Sequence, residues 1–139
     1  MIEKILGLSW KQPFANLMLH GKIETRTWKT NYRGLVLICS CKKAYSQKEI
    51  LECSGYIQYQ IILNTLKGEE IKLGYAIAVG RLVDCRPMLP NDENLCFTKY
   101  NPKLWCHIYK DVKKIDPFLL KGKLGWINVD NYISKIKYI

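Results

Sequence analysis

The sequence predicts an α+β fold: a small β-barrel of about five or six strands with two main helices, over residues 1–139 as one domain. Three observations carry this reading. Short, apolar, β-rich runs recur, most clearly at residues 34–40 and 75–85. Two segments between the runs have helical spacing with start and stop signals. No internal repeat, low-complexity tract or linker divides the chain. With 139 residues, 48% hydrophobic and 24% charged, the chain can bury a sizeable core, and the composition argues against disorder.

In chain order, residues 4–9 predict the first strand. Pro13 suits the first turn of a short helix with Phe14, Leu17 and Met18 at helical spacing, and Gly21 suits its stop. Gly-Leu-Val-Leu-Ile-Cys-Ser at 34–40 reads as a buried strand. Ser46 and Glu49 form a capping-box pair opening a second helix toward Leu66, with Ile50, Cys53, Ile57 and Ile61 on one face and Gly68 closing it. Residues 75–85 alternate Tyr75, Ile77, Val79, Arg81 and Val83 with small or apolar neighbours, as a barrel strand does. Three prolines make 86–102 a long loop. Residues 104–109 and 125–129 predict further strands.

Charge narrows the function class. There are 22 Lys+Arg against 12 Asp+Glu, a formal net charge of +10. The excess lies in two stretches, 22–48 with seven basic residues and one acid, and 99–123 with seven and two. A chain this basic favours anionic partners, polyphosphates above all, although charge also serves solubility. The sequence does not show whether the two stretches share a face.

Six cysteines fit a secreted scaffold in number only. There is no signal-peptide apolar run at the N-terminus and no membrane-length apolar stretch, so the expectation is a cytoplasmic protein with reduced thiols and no membrane partner. Cys39-x-Cys41, Cys85, Cys96 and Cys106-His107 lack paired Cys-x-x-Cys spacing, so no metal is expected. His20 ends a helix, where a cation is mildly favoured without any function. No Gly-rich phosphate loop or Ser-nucleophile elbow occurs, and no cofactor is expected.

Several segments resemble a known family. Leu8-Ser9-Trp10-Lys11-Gln12-Pro13-Phe14-Ala15 is similar to the Leu-Ser-x-x-Gln-Pro-Trp-Ala opening of ASCH (activating signal cointegrator homology) domains. Gly21-Lys22-Ile23-Glu24-Thr25-Arg26-Thr27-Trp28 and Tyr32-Arg33-Gly34 resemble the segments that follow it. Residues 74–86, and Lys121-Gly122-Lys123-Leu124-Gly125-Trp126, resemble the later strand and the closing strand entry. Two departures stand out: the span from Gly21 to Arg26 is two residues shorter than in the family, and Phe14 replaces the common Trp. The resemblance implies a PUA-like barrel whose central cleft holds RNA or a nucleotide-like ligand.

The residues suit such a cleft. Alternation in an extended segment points Lys22, Glu24 and Arg26 one way and Ile23 and Thr25 the other. Lys and Arg hold a phosphate or carbonyl oxygen, and a carboxylate between them stays ionised and accepts from a base's amino or imino edge. The same alternation fits an exposed edge strand whose charges pair internally. Trp28 and Tyr32, beside Lys29 and Arg33, suit either base stacking or core packing. Ser9 and Gln12 face the ligand or cap exposed backbone groups. Lys121 and Lys123 around Gly122 form a phosphate-binding or merely solvated turn.

Three functions follow. The first is a module that binds RNA, other single-stranded nucleic acid or a nucleotide-like molecule through Ser9, Gln12, Lys22, Glu24, Arg26, Trp28, Tyr32, Arg33, Lys121 and Lys123. The second is a small hydrolase. Some ASCH relatives resemble amidohydrolases that deacylate a modified cytidine, and others resemble ribonucleases. That resemblance implies a lysine, threonine and glutamate, for which Lys22, Glu24, Thr25 and Thr27 are the candidates. Against it, Thr25 alternates away from Lys22, and Glu24 favours the charged lysine over the free base. The third is an interaction domain with an unused cleft.

Overall fold

The computed structural model describes residues 3–139. It is α+β, with six strands in one curled, half-barrel sheet and a few short helices. The strands are β1 (Ile5–Trp10), β2 (Glu24–Arg26), β3 (Gly34–Ser40), β4 (Tyr75–Pro87), β5 (Trp105–Leu119) and β6 (Ile127–Asn128). Their order is β2-β5-β4-β3-β1-β6. Only β1 and β3 run parallel, joined by the crossover that contains α1 (Phe14–Leu17) and β2.

The curl comes from the two long strands. The β4–β5 ladder runs from Tyr75 opposite Leu119 to Pro87 opposite Trp105 and slips register at three places. Each irregularity bends the ribbon and adds twist. One half of the ribbon therefore pairs with β3, while the far end of β5 carries β2.

β3 shows why the apolar runs were legible. Val36 and Ile38 pack into one cluster with Leu8, Trp10, Met18 and Leu82. Leu37 and Cys39 pack into another with Ile5, Val79, Ile115 and Val129. Both faces are covered, so the strand is apolar throughout rather than alternating. Tyr132, Ile133 and Ile136 of the C-terminal segment cover the second cluster, while α1, Trp28, Tyr32 and Tyr109 cover the first.

The helices depart from the sequence reading. The Ser46–Glu49 capping box forms, but the single helix becomes two, α2 (Gln47–Ser54) and α3 (Tyr56–Thr65). Gly55, at φ 85° and ψ 167°, breaks the chain between them. The break resets the helical phase. Ile50 is buried as predicted, but Ile57 and Ile61 are 73% and 44% exposed, and Ile62 and Leu66 are buried in their place, against Leu17 and Phe97.

Other boundaries shift as well. β1 starts and ends one residue later than predicted. β5 extends ten residues past the predicted 109, through Lys-Asp-Val-Lys-Lys-Ile-Asp, where paired charges leave no apolar alternation to read. The proline-rich stretch holds a 3-10 turn, Pro90–Asp92, and α4 (Glu93–Cys96). Of residues 125–129 only Ile127–Asn128 is strand. Among the described residues no helix is long and apolar enough to cross a membrane.

Candidate functional site

The chain leaves the short first helix at Gly21, whose left-handed φ of 82° redirects it toward β5. Ile23 N donates to Leu95 O at 2.9 Å, which ties the turn to α4. β2 then pairs with the start of β5, Glu24 opposite His107 and Arg26 opposite Trp105. β2 is an edge strand, and a cleft of about 680 Å³ runs along it.

Lys22, Glu24 and Arg26 meet there. Lys22 Nζ lies 2.8 Å from Glu24 Oε1, with the two side chains 2% and 8% exposed. Arg26 Nε lies 2.9 Å from Glu24 Oε2. That second contact is an ion pair without the alignment of a hydrogen bond, since Arg26 Nε has no hydrogen-bond partner among the described residues. Arg26 Nη2 donates to Ser9 O at 2.9 Å. Burial pushes the Glu24 pKa up, but Lys22, Arg26 and the hydrogen bonds together outweigh it and hold the carboxyl below its ordinary value. Glu24 is a buried, ionised acceptor with both oxygens already engaged and spare lone pairs on each.

Aromatic rings back three of the cleft's cations. The Arg26 guanidinium lies 4.9 Å from the Trp10 ring centroid, Lys22 Nζ 5.0 Å from Phe14, and Lys11 Nζ 5.1 Å from Tyr45. Phe14 and Tyr45 meet edge to face at 5.4 Å, and Trp10 and Tyr109 at 5.8 Å. Trp10 Nε1 and the Tyr109 hydroxyl are buried without a hydrogen-bond partner among the described residues.

The facing wall is the segment after α4. Phe97 takes a left-handed φ of 57°. Thr98 Oγ1 and Lys99 N then both donate to Cys53 O, at 2.7 and 2.9 Å. Thr98, Lys99 and Tyr100 border the cleft from this side, with Glu52 and Cys53 of α2. Its charges are Lys11, Lys22, Arg26 and Lys99 against Glu24 and Glu52, so cations prevail. Lys22 and Arg26 belong to the first basic stretch and Lys99 to the second, so the two stretches share this cleft.

The other sequence candidates divide. Ser9, Thr25 and Thr27 border the cleft with Lys22, Glu24 and Arg26, so alternation along β2 does not remove Thr25 from it. Gln12 does not border the cleft. It is wholly buried; its Nε2 donates to Asn16 Oδ1 at 2.6 Å and Lys72 O at 3.2 Å, and its Oε1 accepts from Asn16 N. Trp28 packs behind Arg26, edge to face on His107 and Trp126. Tyr32 donates to Leu35 O at 2.7 Å and tilts against Trp126, which makes it a packing residue. Arg33 donates to the carbonyls of Thr30 and Tyr32 on the surface. Lys121 and Lys123 are exposed on an irregular segment that abuts Ser9 at Gly122.

The sequence reading missed Lys11, Tyr45, Thr98, Lys99 and Tyr100. Lys11 lies inside the quoted opening motif and Lys99 begins the second basic stretch, so charge was the available signal; nothing local singles out Tyr45 or Thr98. It also missed His107, whose Nε2 lies 2.8 Å from Trp28 O and whose pKa burial pushes down.

The six cysteines are free thiols, and burial pushes Cys39 and Cys96 up to about 12. Among the described residues no three His, Cys, Asp or Glu side chains gather as a metal site. No protein-family model and no curated protein matches the chain.

Proposed function

We propose that the chain is an ASCH-like binding module whose cleft takes one nucleotide of RNA or other single-stranded nucleic acid, or a nucleotide-like molecule. The observation that carries this reading is the row Lys22, Glu24, Arg26 bordering the cleft, with aromatic rings behind both cations. The cations suit phosphate or carbonyl oxygens, the half-buried rings of Phe14 and Tyr45 suit a base face, and the free lone pairs of Glu24 suit an amino or imino edge. Fluorescence anisotropy with labelled single-stranded RNA across a salt series tests it. Affinity is expected at low salt and falls steeply as salt rises, through screening and counterion release. Binding that ignores salt, or none at low salt, removes the nucleic-acid partner.

One observation favours a hydrolase in the same cleft: Thr25 and Thr27 border it together with Lys22 and Glu24. Against it, the Lys22 ammonium donates to Glu24 and to Ile23 O, which opposes the free amine a base role requires. A deacylation assay on acylated cytidines, run beside the binding titration, separates the two readings.

A further inference from the structure

We propose that the ligand is an oligonucleotide that continues past the cleft, with segment 121–125 holding the next nucleotide: Leu124 packs on its base while Lys121 and Lys123 meet the flanking phosphates. This rests on the nucleotide reading of the cleft and names its ligand as a strand of two or more nucleotides, not a free nucleoside.

The segment is fixed in place at both ends. Gly122 packs so tightly on Ser9 that a Cβ there would stand 2.4 Å from Ser9 Oγ. Ser9 in turn carries the carbonyl that Arg26 Nη2 binds, so the segment is anchored beside the cleft's own cation. Beyond Gly125, at φ 73°, Trp126 is wedged against Trp28 and Tyr32, and Ile127 pairs with Gly7 of β1.

Between these anchors Leu124 borders the cleft at 99% exposure. A scattered surface leucine needs no explanation. This one stands at the cleft mouth just after two cations, next to a glycine whose added Cβ would force Ser9 Oγ to move. Lys121 and Lys123 are exposed, neither is in an ion pair among the described residues, and no acid lies between Asp116 and Asp130. An apolar side chain that follows closely on two unpaired cations complements a nucleic-acid strand, whose bases offer a flat apolar face beside the phosphates. It complements a second copy of this chain poorly, because the facing surface would carry the same positive charge.

The test uses the full chain, a labelled randomised RNA octamer, a DNA octamer of the same kind, and the four 5′-mononucleotides as competitors. The expected result is that the RNA octamer binds at least tenfold more tightly than the mononucleotides compete. Leu124→Ala weakens octamer binding about tenfold and mononucleotide competition by no more than about twofold, while Leu124→Phe keeps the octamer affinity. Lys121→Ala with Lys123→Ala lowers the salt slope of octamer binding by about two. A DNA octamer bound equally well supports the same packing without a role for the 2′-hydroxyl. Three results overturn the proposal: equal loss for octamer and mononucleotides in Leu124→Ala, no loss at all, or a shift in sedimentation showing that Leu124 pairs two copies. If neither octamer nor mononucleotides bind the unaltered chain, the cleft reading fails first and this proposal with it.

Discussion

Lys22 Nζ lies 2.8 Å from Glu24 Oε1 with both side chains nearly excluded from water. Two residues apart on one extended segment, they neutralise each other inside the wall of the cleft. Removing one partner of such a pair leaves an uncompensated buried charge, which costs about 3–5 kcal/mol. Glu24→Gln is expected to lower unfolding stability by that order, and Lys22→Met by less, because Arg26 still faces Glu24 Oε2. The double change Lys22→Met with Glu24→Leu is expected to cost less than the two together, because the buried pair is removed whole and only Arg26, which is partly exposed, loses a partner. Urea denaturation of the four proteins gives the coupling. Additive losses would mean that the pair contributes nothing as a pair.

A second ion pair closes the loop that leads to the facing wall. Arg86 reaches both Asp92 oxygens, at 2.8 and 2.9 Å, and Asp92 Oδ2 also accepts from Leu89 N at 2.7 Å. The hydrogen bonds from Arg86 hold the Asp92 carboxyl well below its usual range. A depressed folded-state pKa stabilises the fold above the unfolded value, near 3.8, and that stability is lost as pH falls further. Asp92→Asn should therefore destabilise the protein at pH 7 by about 1–2 kcal/mol, moderated by the one-third exposure of Arg86, and much less near pH 2. Thermal melts of both proteins at the two pH values check this; an equal gap at both would show that the carboxylate charge is irrelevant.

Legibility followed how local each signal was. Residues 34–40 were readable as a strand because burial on both faces makes every position apolar. The capping box was readable because its two side chains answer each other within one turn. Gly55 was not, since a glycine inside a helical pattern is tolerated at a modest cost, and here the decision came from where Leu17 and Phe97 place the apolar surface. In the site, Lys22, Glu24 and Arg26 were legible because they alternate along one extended segment that leads into β2. Lys99 and Tyr45 come to the cleft from distant segments, and Gln12 leaves it for Asn16 and Lys72, contacts set by tertiary packing alone.

Gly55 yields a direct test of the helix break. Its φ of 85° with ψ of 167° belongs to a region open almost only to glycine, and a Cβ would sit 3.2 Å from Lys99 Cε. Gly55→Ala is expected to cost about 1–3 kcal/mol. It should also loosen the Cys53–Lys99 contact that shapes the facing wall. If helicity rises and stability is unchanged, α2 and α3 fuse and the break is not needed by the fold.

The last prediction separates a site from a basic surface. Lys99 and Lys110 both lie in the second basic stretch, but only Lys99 borders the cleft, while Lys110 is an exposed residue of β5 opposite Arg81. Both lose one positive charge on substitution by Ala. If net charge alone attracts the ligand, the two variants weaken RNA binding equally. If the ligand sits in the cleft, Lys99→Ala removes a direct phosphate contact and lowers the salt slope by about one, whereas Lys110→Ala leaves the slope unchanged. Arg26→Lys adds a third arm. It keeps the charge yet loses the planar fork that spans Glu24 and Ser9 O, so it should weaken binding without altering the salt slope. Anisotropy titrations of the three variants between low and moderate salt decide between these outcomes, and equal slopes for Lys99→Ala and Lys110→Ala would move the RNA out of the cleft.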